Sequence, residues 1–145
     1  MISGLKKTPL KVFGDKRGKV MRMLREDDPH FFRFGEIYFS WIYTGVIKAW
    51  KLQKKMTINF AIPVGTIKLV AYDERSDSQT LGQVNEFILS EDDYFLLTIP
   101  PNIWYGFEAL KNKSALVANC TTLPHSLYDT ENREIIDPRI PFKWK

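Results

Sequence analysis

Five side chains have the type and setting to do chemistry: Arg17, Lys48, Lys51, Gln53 and Tyr105. Lys48 and Lys51 flank Ala49 and Trp50 in the run Val46-Ile47-Lys48-Ala49-Trp50-Lys51-Leu52-Gln53, and we read them as sharing one strand face. If that face lines an interior, two ammonium groups there require an anion or paired carboxylates, because an unpaired buried charge is costly. If it is the outer face, both are solvated. Gln53 ends the same run and is a candidate hydrogen-bonding group for a ligand. Tyr105 follows Trp104 after the turn Pro100-Pro101-Asn102. It can stack on a sugar or base, donate a proton, or fill core with its hydroxyl satisfied. Arg17 sits beside Gly18 in a turn sequence, either as a ligand group or as an exposed turn residue.

Other chemistry is missing. His30 and His125 are the only histidines, and neither has a partner at metal-ligand spacing, so no metal site is expected. There is no phosphate-binding P-loop and no glycine-rich dinucleotide fingerprint, so no cofactor is expected either. Cys120 is the single cysteine, which excludes an internal disulfide and fits a reducing compartment.

The elements that position these residues read as strands. Lys11 to Phe13 and Lys19 to Leu24 flank the turn chemistry of Gly14-Asp15-Lys16-Arg17-Gly18. Glu36 to Ile42 sets Ile37, Phe39 and Trp41 on one side and Tyr38, Ser40 and Ile42 on the other. Strands are expected at Val46–Leu52, Met56–Ile62, Thr66–Asp73, Val84–Leu89, Tyr94–Ile99, Trp104–Leu110 and Ser114–Cys120. In Thr66–Asp73 the residues Ile67, Leu69 and Ala71 alternate against Lys68, Val70 and Tyr72, as in a half-buried strand. A helical segment is expected near Leu24 to Phe32, and the tail from Pro124 to Lys145 is expected to be irregular. Short strands at regular spacing, without a long amphipathic helix, predict an all-β sandwich or barrel formed by a single domain over residues 1–145.

Apolar residues make up 44% of the 145-residue chain, enough for a globular core. The net charge of +4 is scattered, apart from Lys6-Lys7 and Lys54-Lys55. It reads as a solvated surface or as a preference for an anionic ligand such as a diphosphate, and no recognition motif suggests nucleic acid. No apolar run approaches the ~20 residues of a membrane helix, and the expected location is cytoplasmic.

Several segments, in order, resemble the dTDP-4-dehydrorhamnose 3,5-epimerase family. Phe13-Gly14-Asp15-Lys16-Arg17-Gly18 resembles its F-x-D-x-R-G motif, and Gly45 to Gln53 its G-V-L-R-G-L-H-Y-Q. Gly65 to Arg75 is similar to its strand ending in V-D-L-R, and Leu81-Gly82-Gln83 to its F-G-x-W. Ile99 to Phe107 resembles I-P-x-G-F-A-H-G-F, and Asp137 to Trp144 resembles D-P-x-I-x-I-x-W. The resemblance implies a cupin-like double-stranded β-helix, or jelly roll, in homodimers, with a nucleotide-sugar site inside each barrel. It also implies that Arg17 and Lys48 bind phosphate, with Gln53 beside them.

The same comparison marks departures. Lys51 stands where the family has the histidine base of R-G-L-H, and Tyr105 where it has the histidine of A-H-G-F. The family's lysine on the next strand falls at Ile58, and its tyrosine acid near Leu123 or Pro124. Glu36 falls at a glutamine position near the nucleotide. Epimerisation beside a ketone needs a base, an acid and a cation for the enolate. A histidine near pKa ~6.5 suits the base, whereas a lysine near ~10.4 is mostly protonated at neutral pH. The expected function is therefore that of a nucleotide-sugar epimerase or isomerase relative, with Lys51 and Tyr105 in altered acid–base or electrostatic roles. The alternative is a non-catalytic sugar or nucleotide-sugar binding protein. A third possibility is a purely structural protein whose barrel is shut by Trp50, Trp104 and phenylalanines.

Overall fold

The computed structural model describes residues 1–145. Twelve strands form and no helix does: β1 (Lys6–Pro9), β2 (Val12–Asp15), β3 (Gly18–Met21), β4 (Glu36–Ile42), β5 (Ile47–Gln53), β6 (Ile58–Val64), β7 (Thr66–Asp73), β8 (Val84–Ser90), β9 (Phe95–Ile99), β10 (Ile103–Ala109), β11 (Ala115–Thr121) and β12 (Thr130–Asn132). They build two five-stranded sheets, ordered β1-β9-β6-β11-β4 and β12-β5-β10-β7-β8, plus the separate β2–β3 hairpin. All pairings are antiparallel. The all-β jelly roll expected from the sequence is the architecture found.

Period-two alternation explains the core. Ile58, Phe60 and Ile62 of β6 and Phe95, Leu97 and Ile99 of β9 face Ile67, Leu69 and Ala71 of β7 across the interior. Ile103, Tyr105 and Phe107 of β10 complete that layer. These four strands each turn every second residue in between the sheets, as a two-layer sandwich requires. Gly65 makes the turn between β6 and β7 at φ +84°, where a side chain would meet the backbone of Ser114 and Ala115.

Three expectations change. Leu24 to Phe32 is not helical; it runs as turns, with Asp28 N–H donating to Arg25 O and Phe31 N–H to Asp28 O. Pro29 removes a backbone donor there and biases Asp28 away from helical geometry. β7 is not half-buried, because Val70 and Tyr72 lie in a second apolar cluster with Trp50, Leu52, Trp104 and Ile140. Phe142 and Trp144 of the tail, expected only to be irregular, cover that cluster and sheathe the outer face of the second sheet. The tail also contributes β12, and near the start of the chain β1 adds an edge to the first sheet. Both are only three or four residues long, too short for periodicity to reveal.

Ion pairs fasten the ends. Arg133 donates two hydrogen bonds to Glu74, at 3.1 and 2.7 Å, and its guanidinium lies 4.1 Å from the centre of the Trp104 ring. Asp73 is fully buried and accepts from Arg75, Ser78 and Thr80. Burial pushes the Asp73 carboxyl up, but those three partners outweigh it and hold the group well below the usual carboxylate range.

One irregularity in strand register shapes the interior of the sandwich. β10 pairs Tyr105 with Lys51 but Phe107 with Lys48, so two steps on β10 oppose three on β5. The extra residue is a bulge in β5 at Ala49 and Trp50. Gly106 lies directly under it, and a side chain there would collide with Ala49. Gly106→Ala is therefore expected to cost about 1–3 kcal/mol by overpacking. Urea unfolding checks this, and an unchanged midpoint would show that the bulge does not depend on the missing side chain.

Candidate functional site

A cavity of about 370 Å³ opens between the sheets. Tyr38 and Ser40 from β4, Lys48 and Lys51 from β5, Tyr105 and Phe107 from β10, and Asn132 from β12 all line it, with Phe60 and Val117 as apolar walls. A larger groove of about 590 Å³ is bounded wholly by tail residues 135–144. Its only carboxylate, Asp137, is already paired with Arg139. The smaller cavity is the one on which titratable groups from several strands converge, and it is taken as the site.

Lys48 and Lys51 are three residues apart, so an unbroken strand would turn them to opposite faces. The bulge is what places both in one lining. The sequence assigned them to one face correctly, but alternation alone does not explain it. Both keep solvent access. The Lys48 ammonium donates to Ser40 Oγ at 3.0 Å and to the Trp41 carbonyl at 2.8 Å. Burial lowers its pKa, and the charge of Lys51 lowers it further. Neither lysine has a carboxylate partner.

Tyr105 is only 4% exposed. Its oxygen accepts a hydrogen bond from Gln53 Nε2 at 3.2 Å, and the Gln53 carbonyl accepts from Thr130 Oγ1 at 2.7 Å. With its oxygen held from behind, the phenol's own O–H is left to donate into the cavity. Burial pushes its pKa up, more than the Gln53 hydrogen bond pulls it down, so the proton stays on oxygen at neutral pH. Gln53 is thus placed behind Tyr105, outside the lining, with both ends of its amide engaged. Its neighbour is a tyrosine rather than the ligand expected from the sequence.

Tyr38 repeats the arrangement. Its oxygen accepts from Asn119 Nδ2 at 2.9 Å, and burial raises its pKa. The sequence set Tyr38 and Ser40 on one face of their strand, but nothing in it distinguished that face as the interior. Arg17 lies elsewhere. It occupies the turn of the exposed β2–β3 hairpin, paired with Asp15 at 2.7 Å, and is not in the lining.

The lining therefore presents two ammonium groups and two phenol O–H groups, and neither a histidine nor a carboxylate. Such an array of donors suits an anion, or an oxygen that gains negative charge during a reaction. Trp50 and Trp104, which would have shut the barrel, lie under the tail instead, so the interior stays open. No three histidine, cysteine or carboxylate side chains are grouped as a metal site requires.

The profile of the dTDP-4-dehydrorhamnose 3,5-epimerase family matches residues 1–145. The chain belongs to this family. Within it, a dTDP sugar isomerase from Desulfovibrio desulfuricans G20 is 44% identical, with a TM-score of 0.96 over 99% of this chain and 92% of that one. The probable low-salt glycan biosynthesis epimerase Agl13 of Haloferax volcanii is 33% identical over 92% of this chain and 83% of its own. A dTDP-6-deoxy-D-glucose-3,5-epimerase from Legionella pneumophila Philadelphia 1, solved with dTDP-4-keto-L-rhamnose, is 26% identical. Its TM-score is 0.84 over 97% of this chain and 78% of that one. The protein is a nucleotide-sugar epimerase relative on the family's jelly-roll scaffold.

The support behind Tyr105 can be tested. Gln53→Leu takes away the hydrogen-bond donor to the buried Tyr105 hydroxyl and an acceptor from the half-buried Thr130 hydroxyl, and is expected to cost about 1–3 kcal/mol. Urea titration reads this directly, and wild-type stability would show that the amide carries no such role.

Proposed function

We propose that this epimerase-family protein takes a dTDP-linked 4-keto sugar into the cavity and promotes proton exchange beside its ketone. The observation that carries the reading is the convergence of Lys48, Lys51, Tyr38 and Tyr105 on one lining with no carboxylate among them. A ketone oxygen set against Lys51 and Tyr105 becomes more negative as a neighbouring C–H bond loses its proton, and both donors then bind it more tightly. Lys48 is suited to hold phosphate or a sugar oxygen. The Legionella relative, with its bound dTDP-4-keto-L-rhamnose, supports the choice of ligand. The absence of histidine and carboxylate from the lining favours a second reading, in which the site binds such a sugar without turning it over.

Deuterium entry separates the two. The protein is incubated in D₂O with dTDP-4-keto-6-deoxyglucose, and NMR follows the carbons beside the ketone. Exchange that exceeds the protein-free rate and falls at least tenfold in Tyr105→Phe supports the catalytic reading. Thermal protection without exchange leaves the binding reading, and neither effect removes both for this compound.

We further infer a homodimer, as the family resemblance implies. Ile37, Phe39 and Trp41 form an exposed apolar row on the outer face of edge strand β4, which a second copy would cover. Sedimentation is expected to give a dimer that Trp41→Lys weakens, and a wild-type monomer at high micromolar concentration would sink the idea. The lone, buried Cys120 supports a cytoplasmic location. No helix is long and apolar enough to cross a membrane.

A further inference from the structure

A row of three cavity residues crosses the second sheet. Tyr105 on β10 lies opposite Lys51 on β5, and Lys51 lies opposite Asn132 on β12. Residues directly opposite one another share a face, and all three line the cavity. The row runs from mouth to floor, with Asn132 and Lys51 exposed and Tyr105 buried. Arg133 holds the register at the mouth. Its backbone N–H donates to the Trp50 carbonyl and its carbonyl accepts from the Trp50 N–H, both at 3.1 Å. Its side chain lies on the outer face, against Glu74 and the Trp104 ring. Alternation then turns its neighbour Asn132 inward. With Arg133 and Trp50 as the hydrogen-bonded pair, Asn132 and Lys51 are the non-hydrogen-bonded pair, the kind whose Cα atoms approach to about 4.5 Å.

Asn132 differs in kind from the polar groups around it. A lysine ammonium only donates. The oxygens of Tyr38 and Tyr105 already accept from Asn119 and Gln53, and Ser40 Oγ accepts from Lys48. The lining's one side-chain carbonyl belongs to Asn132, and its exposure leaves it open to a ligand. A sugar hydroxyl must place its proton as well as its oxygen, so donors alone leave it half satisfied. In a hexose with its ketone at C4, C3 carries a hydroxyl, whereas C5 carries carbon 6 and the ring oxygen. The C3 hydroxyl therefore lies beside the ketone, as Asn132 lies beside Lys51.

We propose that Asn132 determines substrate specificity by accepting the C3 hydroxyl of a bound 4-keto sugar on its carbonyl, while Lys51 and Tyr105 face the ketone oxygen. A sugar without that hydroxyl gives up one hydrogen bond to the site, and the expected discrimination is about tenfold. The inference rests on the keto-sugar reading of the cavity.

Two ligands and two variants test this. Calorimetric titration compares dTDP-4-keto-6-deoxyglucose with dTDP-4-keto-3,6-dideoxyglucose, which lacks only the C3 hydroxyl. The wild-type protein is expected to bind the hydroxylated compound about tenfold more tightly. Asn132→Ala is expected to lose that preference through weaker binding of the hydroxylated compound. Asn132→Asp, which keeps an acceptor at the same reach, is expected to retain it. Melting curves check that both variants fold. The ratio of the two affinities within each variant cancels any general weakening of the site. A wild-type ratio near one, or a ratio unchanged in Asn132→Ala, overturns the role of Asn132 and leaves the keto-sugar reading standing. Loss of the preference in Asn132→Asp as well as in Asn132→Ala overturns acceptance by the carbonyl. Failure of the wild-type protein to bind either compound overturns the keto-sugar reading along with it.

Discussion

The slip of one residue between β5 and β10 is the constraint on which the site depends. Without it, a strand carrying lysines at positions 48 and 51 would aim one inward and the other away. Glycine at position 106 leaves room for that slip, because Ala49 occupies the space where a side chain would begin. The same slip sends Trp50 outward, where its indole N–H meets the Ile135 carbonyl and its ring meets Phe142 and Trp144. A local change of strand register therefore does two things at once. It gathers positive charge in the cavity, and it places a large aromatic anchor for the tail on the opposite face.

The two phenols show a second design feature. Each is backed by an amide that donates to its oxygen, Gln53 for Tyr105 and Asn119 for Tyr38. Asn119 is itself fixed, its carbonyl accepting from the Asn59 backbone N–H. Polar residues in a β-sandwich core would ordinarily weaken it, since every unsatisfied hydroxyl or amide there loses hydration without return. Here they form short chains in which one proton is left over, directed into the cavity. Fixing donors in advance lowers the reorganisation needed when an oxygen outside the chain gains charge.

The sequence made the sandwich legible because alternation is strong in β4, β6, β7 and β10, and because turns punctuate them. It also revealed the departures at Lys51 and Tyr105, which local motifs frame. What stayed hidden was the third dimension. Gln53 looked like a ligand group because nothing in its neighbourhood shows Thr130, 77 residues later, reaching its carbonyl. Val70 and Tyr72 looked half-exposed because their cover comes from Ile140 and the aromatics beyond it. Leu24 to Phe32 was expected to include a helical segment, but the effect of Pro29 on its neighbours prevailed. The bulge itself left no periodic trace, since a single extra residue merely shifts the phase of a short strand.

β12 carries a consequence for how firmly the cavity is held together. Thr130 braces Gln53 and Asn132 lines the cavity, yet both belong to a three-residue strand at the edge of the second sheet, paired only with β5. A short edge strand opens locally at a lower free-energy cost than the core strands it borders. The brace behind Tyr105 can therefore let go while the two sheets stay packed, so the order of the donors is less secure than the shape of the fold that holds them.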